Sequence, residues 1–279
     1  MTARLALLIP AVFASVSPTT PRRIATEPTV VTVHARDYAF VAPKSIKASG
    51  PITFRLVNDG KELHHLSIMK LAPGKTLKDL ADAMKNPGPP PAWTTDVGGP
   101  NPAAPGGTAE ATLNLDAGTY ALLCYINSPG NPMPHMAKGM IGSLTIEAQP
   151  AGVVQAGTPA TDVTLRLSDY KFGLSKPLSA GKHSINVIND ASQSHEVVML
   201  KLNPGKTVAD LASWVEKDLL KGPPPGTPVG GMAALAKGRS GIFPTTLTPG
   251  NYAVICFVPD AKDGKPHSAH GMTYQFEVK

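Results

Sequence analysis

The chain has two cysteines, and each opens the same series of metal-ligating side chains. Cys124 is followed by His135 and Met140, and Cys256 by His267 and Met272, with identical gaps and with Pro-His and Gly-Met dipeptides kept in both places. Upstream, His64 and His195 each come after an Asn-Asp pair at matching positions. One thiolate, two imidazoles and one thioether therefore recur twice. Such a set suits copper, because Cu(I) prefers soft sulfur while Cu(II) prefers nitrogen. A trigonal His2Cys site with a long axial Met lies between the two preferences, so little rearranges when one electron moves. Zinc competes for thiolate and imidazole, but its structural sites commonly use four stronger ligands, and Met is a poor one. Two free cysteines are also compatible with simple packing as small buried hydrophobes. The repeated donors beside them favour local chemistry.

The elements that position these residues are duplicated with them. Asp37-Tyr38-Ala39-Phe40 returns as Asp169-Tyr170-Lys171-Phe172, Pro73-Gly74-Lys75-Thr76 as Pro204-Gly205-Lys206-Thr207, and Val97-Gly98-Gly99 as Val229-Gly230-Gly231. Gly118-Thr119-Tyr120 leads to Cys124 as Gly250-Asn251-Tyr252 leads to Cys256. The offset is 131 or 132 throughout, which is a duplicated domain and not a solenoid of short repeats. A disulfide between Cys124 and Cys256 would need equivalent core positions of two domains to lie within about 7 Å, so the duplication argues against it. Gln149 to Pro159 reads as a linker.

Within each copy the apolar residues alternate as in half-buried strands: Ile52, Phe54 and Leu56 against Thr53 and Arg55, and Val163, Leu165 and Leu167 against Thr164 and Arg166. Tyr120 to Ile126 and Tyr252 to Val258 are continuously apolar, as strands covered on both faces are. One helix per copy is predicted, with Thr76 or Thr207 as N-cap and Asp79 or Asp210 in the first turn. Pro-rich stretches end each helix. The predicted fold is all-β, two tandem Greek-key sandwiches each with a short inserted helix.

At this point a resemblance becomes specific. The run from Tyr120 and Cys124 through His135-Met136-Ala137-Lys138-Gly139-Met140 to Ile146 resembles the C-terminal signature of the cupredoxins, the fold of plastocyanin, pseudoazurin and azurin. Its twin runs from Tyr252 and Cys256 through His267 and Met272 to Val278. The resemblance covers residues 29–149 and 161–279 as two domains joined by a linker over 150–160. It implies blue, type 1 copper, two ions per chain, and one-electron transfer. Ten residues separate each Cys from its following His, a longer loop than in the small blue proteins and comparable with that of the type 1 site of copper nitrite reductases. The Asn that often follows the first His ligand of the family is replaced by His65 and Glu196.

The repeat aligns His64 with His195 and His65 with Glu196, so His64 is the assigned ligand. His270 matches Lys138 and is expected at the rim of its site. Met133 and Met136 have no counterpart in the second copy and are expected to pack within the loop, or to help copper enter as Cu(I). His34 and His183 fall in strand contexts without evident partners and are read as structural.

Multicopper oxidases and nitrite reductases also stack such domains, and wire their catalytic copper through a His beside the Cys ligand. Here the neighbours are Leu123 and Tyr125, and Ile255 and Phe257, and no His-X-His pair occurs. No Gly-X-Ser-X-Gly, His-Glu-X-X-His or phosphate-binding Gly loop occurs either. Three readings stay open: an electron carrier, favoured because all four ligand types persist in both copies; a copper-delivery protein; and a binding module with one or both sites metal-free.

The N-terminus carries one Arg and then an apolar stretch from Leu5 to Val16, which reads as an export signal over residues 1–28. It is too short to span a bilayer comfortably. A periplasmic or secreted location follows, with no transmembrane span after processing. Removing those residues lowers the formal charge of +6 to about +4. With Lys and Arg scattered and aromatic residues sparse, nothing points to nucleic acid. The implied partner is an unidentified redox protein; the pattern sets no oligomeric state.

Overall fold

The computed structural model describes residues 27–48, 50–85, 88–150 and 156–279. The predicted export signal, all but residues 27 and 28, and residues 151–155 of the predicted linker therefore fall outside the described residues. The first half runs β1 (Thr29–Arg36), β2 (Ala39–Val41), β3 (Ser45–Lys47), β4 (Gly50–Asn58) and β5 (Ser67–Leu71). It continues with α1 (Leu77–Ala83), β6 (Thr94–Gly98), β7 (Thr108–Leu115), β8 (Gly118–Leu123) and β9 (Ile141–Glu147). The second half repeats the order as β10 (Val163–Ser168), β11 (Lys171–Leu174), β12 (Gly181–Asn189) and β13 (His195–Leu202). Then come α2 (Val208–Glu216), β14 (Gly226–Leu235), β15 (Ser240–Leu247), β16 (Gly250–Ile255) and β17 (Thr273–Val278).

The alternation read from sequence sets the faces. Ile52, Phe54 and Leu56 of β4 are fully buried while Arg55 is exposed, and Val163, Leu165 and Leu167 of β10 repeat the pattern. Full burial of each such side chain contributes roughly 1.5–3 kcal/mol. Most pairings are antiparallel, but β1 with β4, β10 with β12 and β3 with β9 are parallel. Both helices start at the expected threonines, each closed by a reciprocal capping box with Asp79 or Asp210. They cover the outer faces of β5 and β8, and of β13 and β16, through Leu80 and Leu211. The strands ahead of the cysteines are thus buried on both sides.

Two tyrosines fix how those strands begin. Tyr120 Oη donates to the Asp116 carbonyl at 2.8 Å and Tyr252 Oη to the Thr248 carbonyl at 2.7 Å, each pinning the corner four residues upstream. His34 and His183 do have partners, contrary to expectation: His34 meets Asp59 at 2.8 Å and His183 meets Asp162 at 2.7 Å. Each pair links neighbouring strands across a separation that spacing alone does not reveal.

The two halves share their sheets. One sheet runs β11-β10-β12-β15-β7-β4-β1-β2 and the other β17-β16-β13-β14-β6-β5-β8-β9-β3. Both are continuous across the junction, where β7 pairs with β15 and β6 with β14. Pro100 bridges Met232, which is its own counterpart in the repeat, so a pseudo-twofold axis passes between them. The backbones cross closely here. A Cβ on Gly99 would lie 1.9 Å from the Leu66 carbonyl oxygen, and one on Gly231 would lie 2.1 Å from that of Val197. Both glycines also hold φ in the range that favours glycine, at +141° and +154°.

Candidate metal centres

Strand β8 delivers Cys124 into the core, and the long loop after it folds back on itself. The Cys124 N–H donates to the Met140 carbonyl at 3.4 Å, the Met136 N–H to the Cys124 carbonyl at 2.8 Å, and the Met140 N–H to the His135 carbonyl at 3.0 Å. A turn of 3-10 helix, His135–Lys138, ends at Gly139 in the left-handed region (φ 105°). The second loop repeats these bonds with Cys256, Ser268, His267 and Met272. The length of the loop therefore does not make it slack. His64 reaches the same place from a backbone bridge with Ala103, and His195 from the start of β13. Asn58 and Asn189 hold the preceding loops by donating to the Glu62 and Ala103 carbonyls and to the Gln193 and Leu235 carbonyls.

These elements bring His64, Cys124 and His135 together in one half and His195, Cys256 and His267 in the other, all fully buried. Cys124 Sγ lies 3.9 Å from His64 Nδ1 and 3.5 Å from His135 Nδ1, and the two Nδ1 atoms are 3.1 Å apart. Cys256 Sγ lies 3.9 Å from His195 Nδ1 and 3.4 Å from His267 Nδ1. Met140 and Met272 are buried at the ends of their loops, each tied by its N–H to the histidine of the same loop.

The outward nitrogens fix the tautomers. His64 Nε2 donates to Asp37 at 3.1 Å, His135 Nε2 to Glu62 at 2.8 Å, and His195 Nε2 to Asp169 at 3.1 Å. With these protons outside, the Nδ1 lone pairs of His64 and His135 point inward at one another beside a sulfur. A cation placed between them would satisfy all three donors. A point equidistant from the three donors of the first set lies about 2 Å from each, within the usual span of metal–nitrogen and metal–sulfur bonds.

Burial governs the protonation of the set. It pushes the Cys124 thiol up to about 12 and the Cys256 thiol higher still. It pulls His64, His135 and His195 down against the raising effect of their carboxylates, and His267 down to about 4. The imidazoles are thus neutral and ready to ligate, while each thiol gives up its proton when a cation binds.

A second layer closes each centre, and its residues were not singled out from sequence. The Tyr38 ring meets His135 edge-on at 5.4 Å, and its hydroxyl donates to Glu62 at 2.9 Å. Tyr170 meets His267 at 5.5 Å and donates to Asp260. Both tyrosines adopt left-handed φ, 67° and 64°. Asp37, Tyr38, Asp169 and Tyr170 all lie in the Asp-Tyr-X-Phe repeat, whose retention was the available signal. His65 turns away from the sulfur: its ring bonds to Asn101 and to the Tyr125 N–H, as Glu196 does to Asn101 and the Phe257 N–H. His270 sits exposed at the rim, on Asp263 and the Tyr170 ring. Met133 is exposed, and Met136 packs with the α1 cluster.

No protein-family model matches the chain, and no curated protein matches it. Solved structures do match. Auracyanin B is 25% identical over 44% of this chain and 91% of its own, with a TM-score of 0.31. An auracyanin from Roseiflexus castenholzii is 23% identical over 45% of this chain and 100% of its own, with a TM-score of 0.27. A copper-containing nitrite reductase from Thermus scotoductus is 13% identical over 91% of this chain and 62% of its own, with a TM-score of 0.25. Strand order and donor chemistry are consistent with two cupredoxin-like domains in tandem. Each carries one His-Cys-His set whose donor types suit copper, making two candidate copper sites.

Proposed function

We propose that the chain is an exported one-electron carrier with one type 1 copper centre in each of two domains, residues 29–149 and 161–279. The observation that carries this is the twofold convergence of two inward Nδ1 atoms on a buried thiol, each beside a loop that ends in a buried Met. In the first domain His64, Cys124 and His135 would hold the ion, with Met140 as a weaker fourth ligand; in the second, His195, Cys256, His267 and Met272 would do the same. Copper bound there supplies a one-electron couple whose two states tolerate the same ligands. The residues do the rest. Asp37, Glu62 and Asp169 hold imidazole tautomers, the aromatic rings of Tyr38 and Tyr170 exclude water, and the folded loops resist rearrangement.

The carrier reading is preferred to an oxidase or nitrite reductase because Leu123, Tyr125, Ile255 and Phe257 flank the cysteines, where a histidine would be needed to lead on to a catalytic metal. Full burial of every ligating side chain disfavours ready exchange, and with it a delivery role. Export rests on the apolar stretch from Leu5 to Val16. Among the described residues no helix is long and apolar enough to cross a membrane.

Metal analysis with absorption spectroscopy on the exported protein tests the proposal. Two coppers per chain and intense thiolate-to-copper bands are expected. A colourless, rapidly exchanging Cu(I) form, or no stoichiometric copper, would overturn it. Turnover of dioxygen or nitrite would replace carrier with enzyme.

A further inference from the structure

The two cysteines are gripped alike. In the second half, the Glu196 N–H donates to Cys256 Sγ at 3.4 Å while the Glu196 carboxylate accepts the Phe257 N–H at 3.0 Å. Residue 196 thus holds the sulfur with its backbone and the chain just after it with its side chain. In the first half the His65 N–H faces the Cys124 thiol and lowers its pKa, and His65 Nε2 accepts the Tyr125 N–H at 2.8 Å. Because Nε2 accepts, Nδ1 carries the proton, and it donates to Asn101 Oδ1 at 3.0 Å. Asn101 Nδ2 then donates across the domain junction to Glu196 Oε2 at 2.9 Å and to the Val197 carbonyl at 3.3 Å.

The three side chains of this bridge, His65, Asn101 and Glu196, are buried, and with Glu196 ionised every donor in it has an acceptor. It begins at one cysteine sulfur and ends at the other. Asn101 sits beside the pseudo-twofold axis, and its counterpart in the repeat is Ala233, so a single amide serves both halves. Buried polar bridges are costly unless complete, and this one is complete.

We propose that Asn101 is the shared positioning residue that links the two centres, and that electrons pass between the halves along the His65-Asn101-Glu196 bridge. This rests on the two-copper reading proposed above. In the step, a cuprous ion in one half is oxidised to cupric as the cupric ion of the other half is reduced to cuprous. No bond forms or breaks and no outside oxidant is needed.

The test uses the full copper-loaded Met140→Leu chain, whose two centres differ in axial ligand and hence in potential. A sub-stoichiometric pulse of reductant should be followed by a re-equilibration phase independent of protein concentration. Asn101→Ala in that background should slow the phase by about 10- to 100-fold, with copper content and both charge-transfer bands retained. An unchanged rate with both bands intact overturns the link alone, whereas absence of the bands from the parent chain overturns the copper reading and the link together. Glu196→Gln preserves volume but loses one acceptor; it should slow the phase in the same direction and decides the matter if Asn101→Ala does not fold. In the metal-free chain Asn101→Ala should speed hydrogen exchange at both the Tyr125 and Phe257 amides. An effect confined to one half contradicts a shared bridge.

Discussion

The two centres use the same donors but place their outer carboxylates differently. In the first, Glu62 on the loop before His64 accepts the His135 Nε2 proton at 2.8 Å. In the second, Gln193 stands at that position, and the carboxylate has moved to Asp260, the counterpart of Ser128 on the loop after the cysteine. Asp260 is held by Tyr170 and by Gln193 at 2.9 Å, and lies 3.7 Å from His267 Nε2, which is buried without a hydrogen-bond partner among the described residues. A carboxylate hydrogen-bonded to a ligating imidazole raises its basicity. His135 should therefore favour the more charged Cu(II) state more than His267 does, giving the first centre the lower potential. Duplication preserved the ligands and left the tuning free to diverge.

The sharpest way to break this comparison is to remove one thiol. Cys124→Ser and Cys256→Ser should each abolish one centre and about half of the charge-transfer absorption, because the thiolate supplies the transition. Loss of all colour from either substitution, read with copper analysis, would mean that the centres are not separate.

Next in size is a pH effect at the counterparts His65 and Glu196 in the metal-free chain. Burial raises the Glu196 carboxyl from 4.5 to about 7, so between those values the native state keeps a proton that the unfolded state has released. Stability then falls as pH rises through that window, by on the order of 3 kcal/mol. His65 acts in the opposite sense. Burial lowers it from 6.5 to about 4, so stability is lost as pH falls through that window. Glu196→Gln should remove the alkaline-side loss, seen as a cost of substitution that is smaller at pH 8 than at pH 5 in urea unfolding. A cost equal at both values would show that Glu196 is ionised in the native state.

The smallest change sharpens the tuning argument itself. Glu62→Gln should weaken Cu(II) binding at the first centre by about tenfold, which for a one-electron couple raises its potential by about 60 mV. Spectroelectrochemistry in a Cys256→Ser background reads that centre alone. A potential that stays put would detach the difference between the centres from Glu62.

Much of this was legible in the chain. The strand faces of β4 and β10 follow from alternation, the helix starts from Thr76 and Thr207 with their aspartates, and the donors from identical spacing in two copies. His64 over His65 followed from alignment of the copies. The partners of His34 and His183 were not legible, since Asp59 and Asp162 meet them only through strand register. Nor were Glu62 and Asp260 as partners of equivalent histidines, because the acid changes position between copies.

What the sequence determined by itself was the candidate donor set, its order and its duplication, because Cys, His and Met lie on one continuous loop with a single histidine added from upstream. Tertiary structure alone decided which carboxylate meets each imidazole, that both sheets run unbroken through the junction, and that Asn101 joins the halves. Those outcomes depend on hydrogen-bond geometry between residues far apart in the chain, and no local periodicity encodes it.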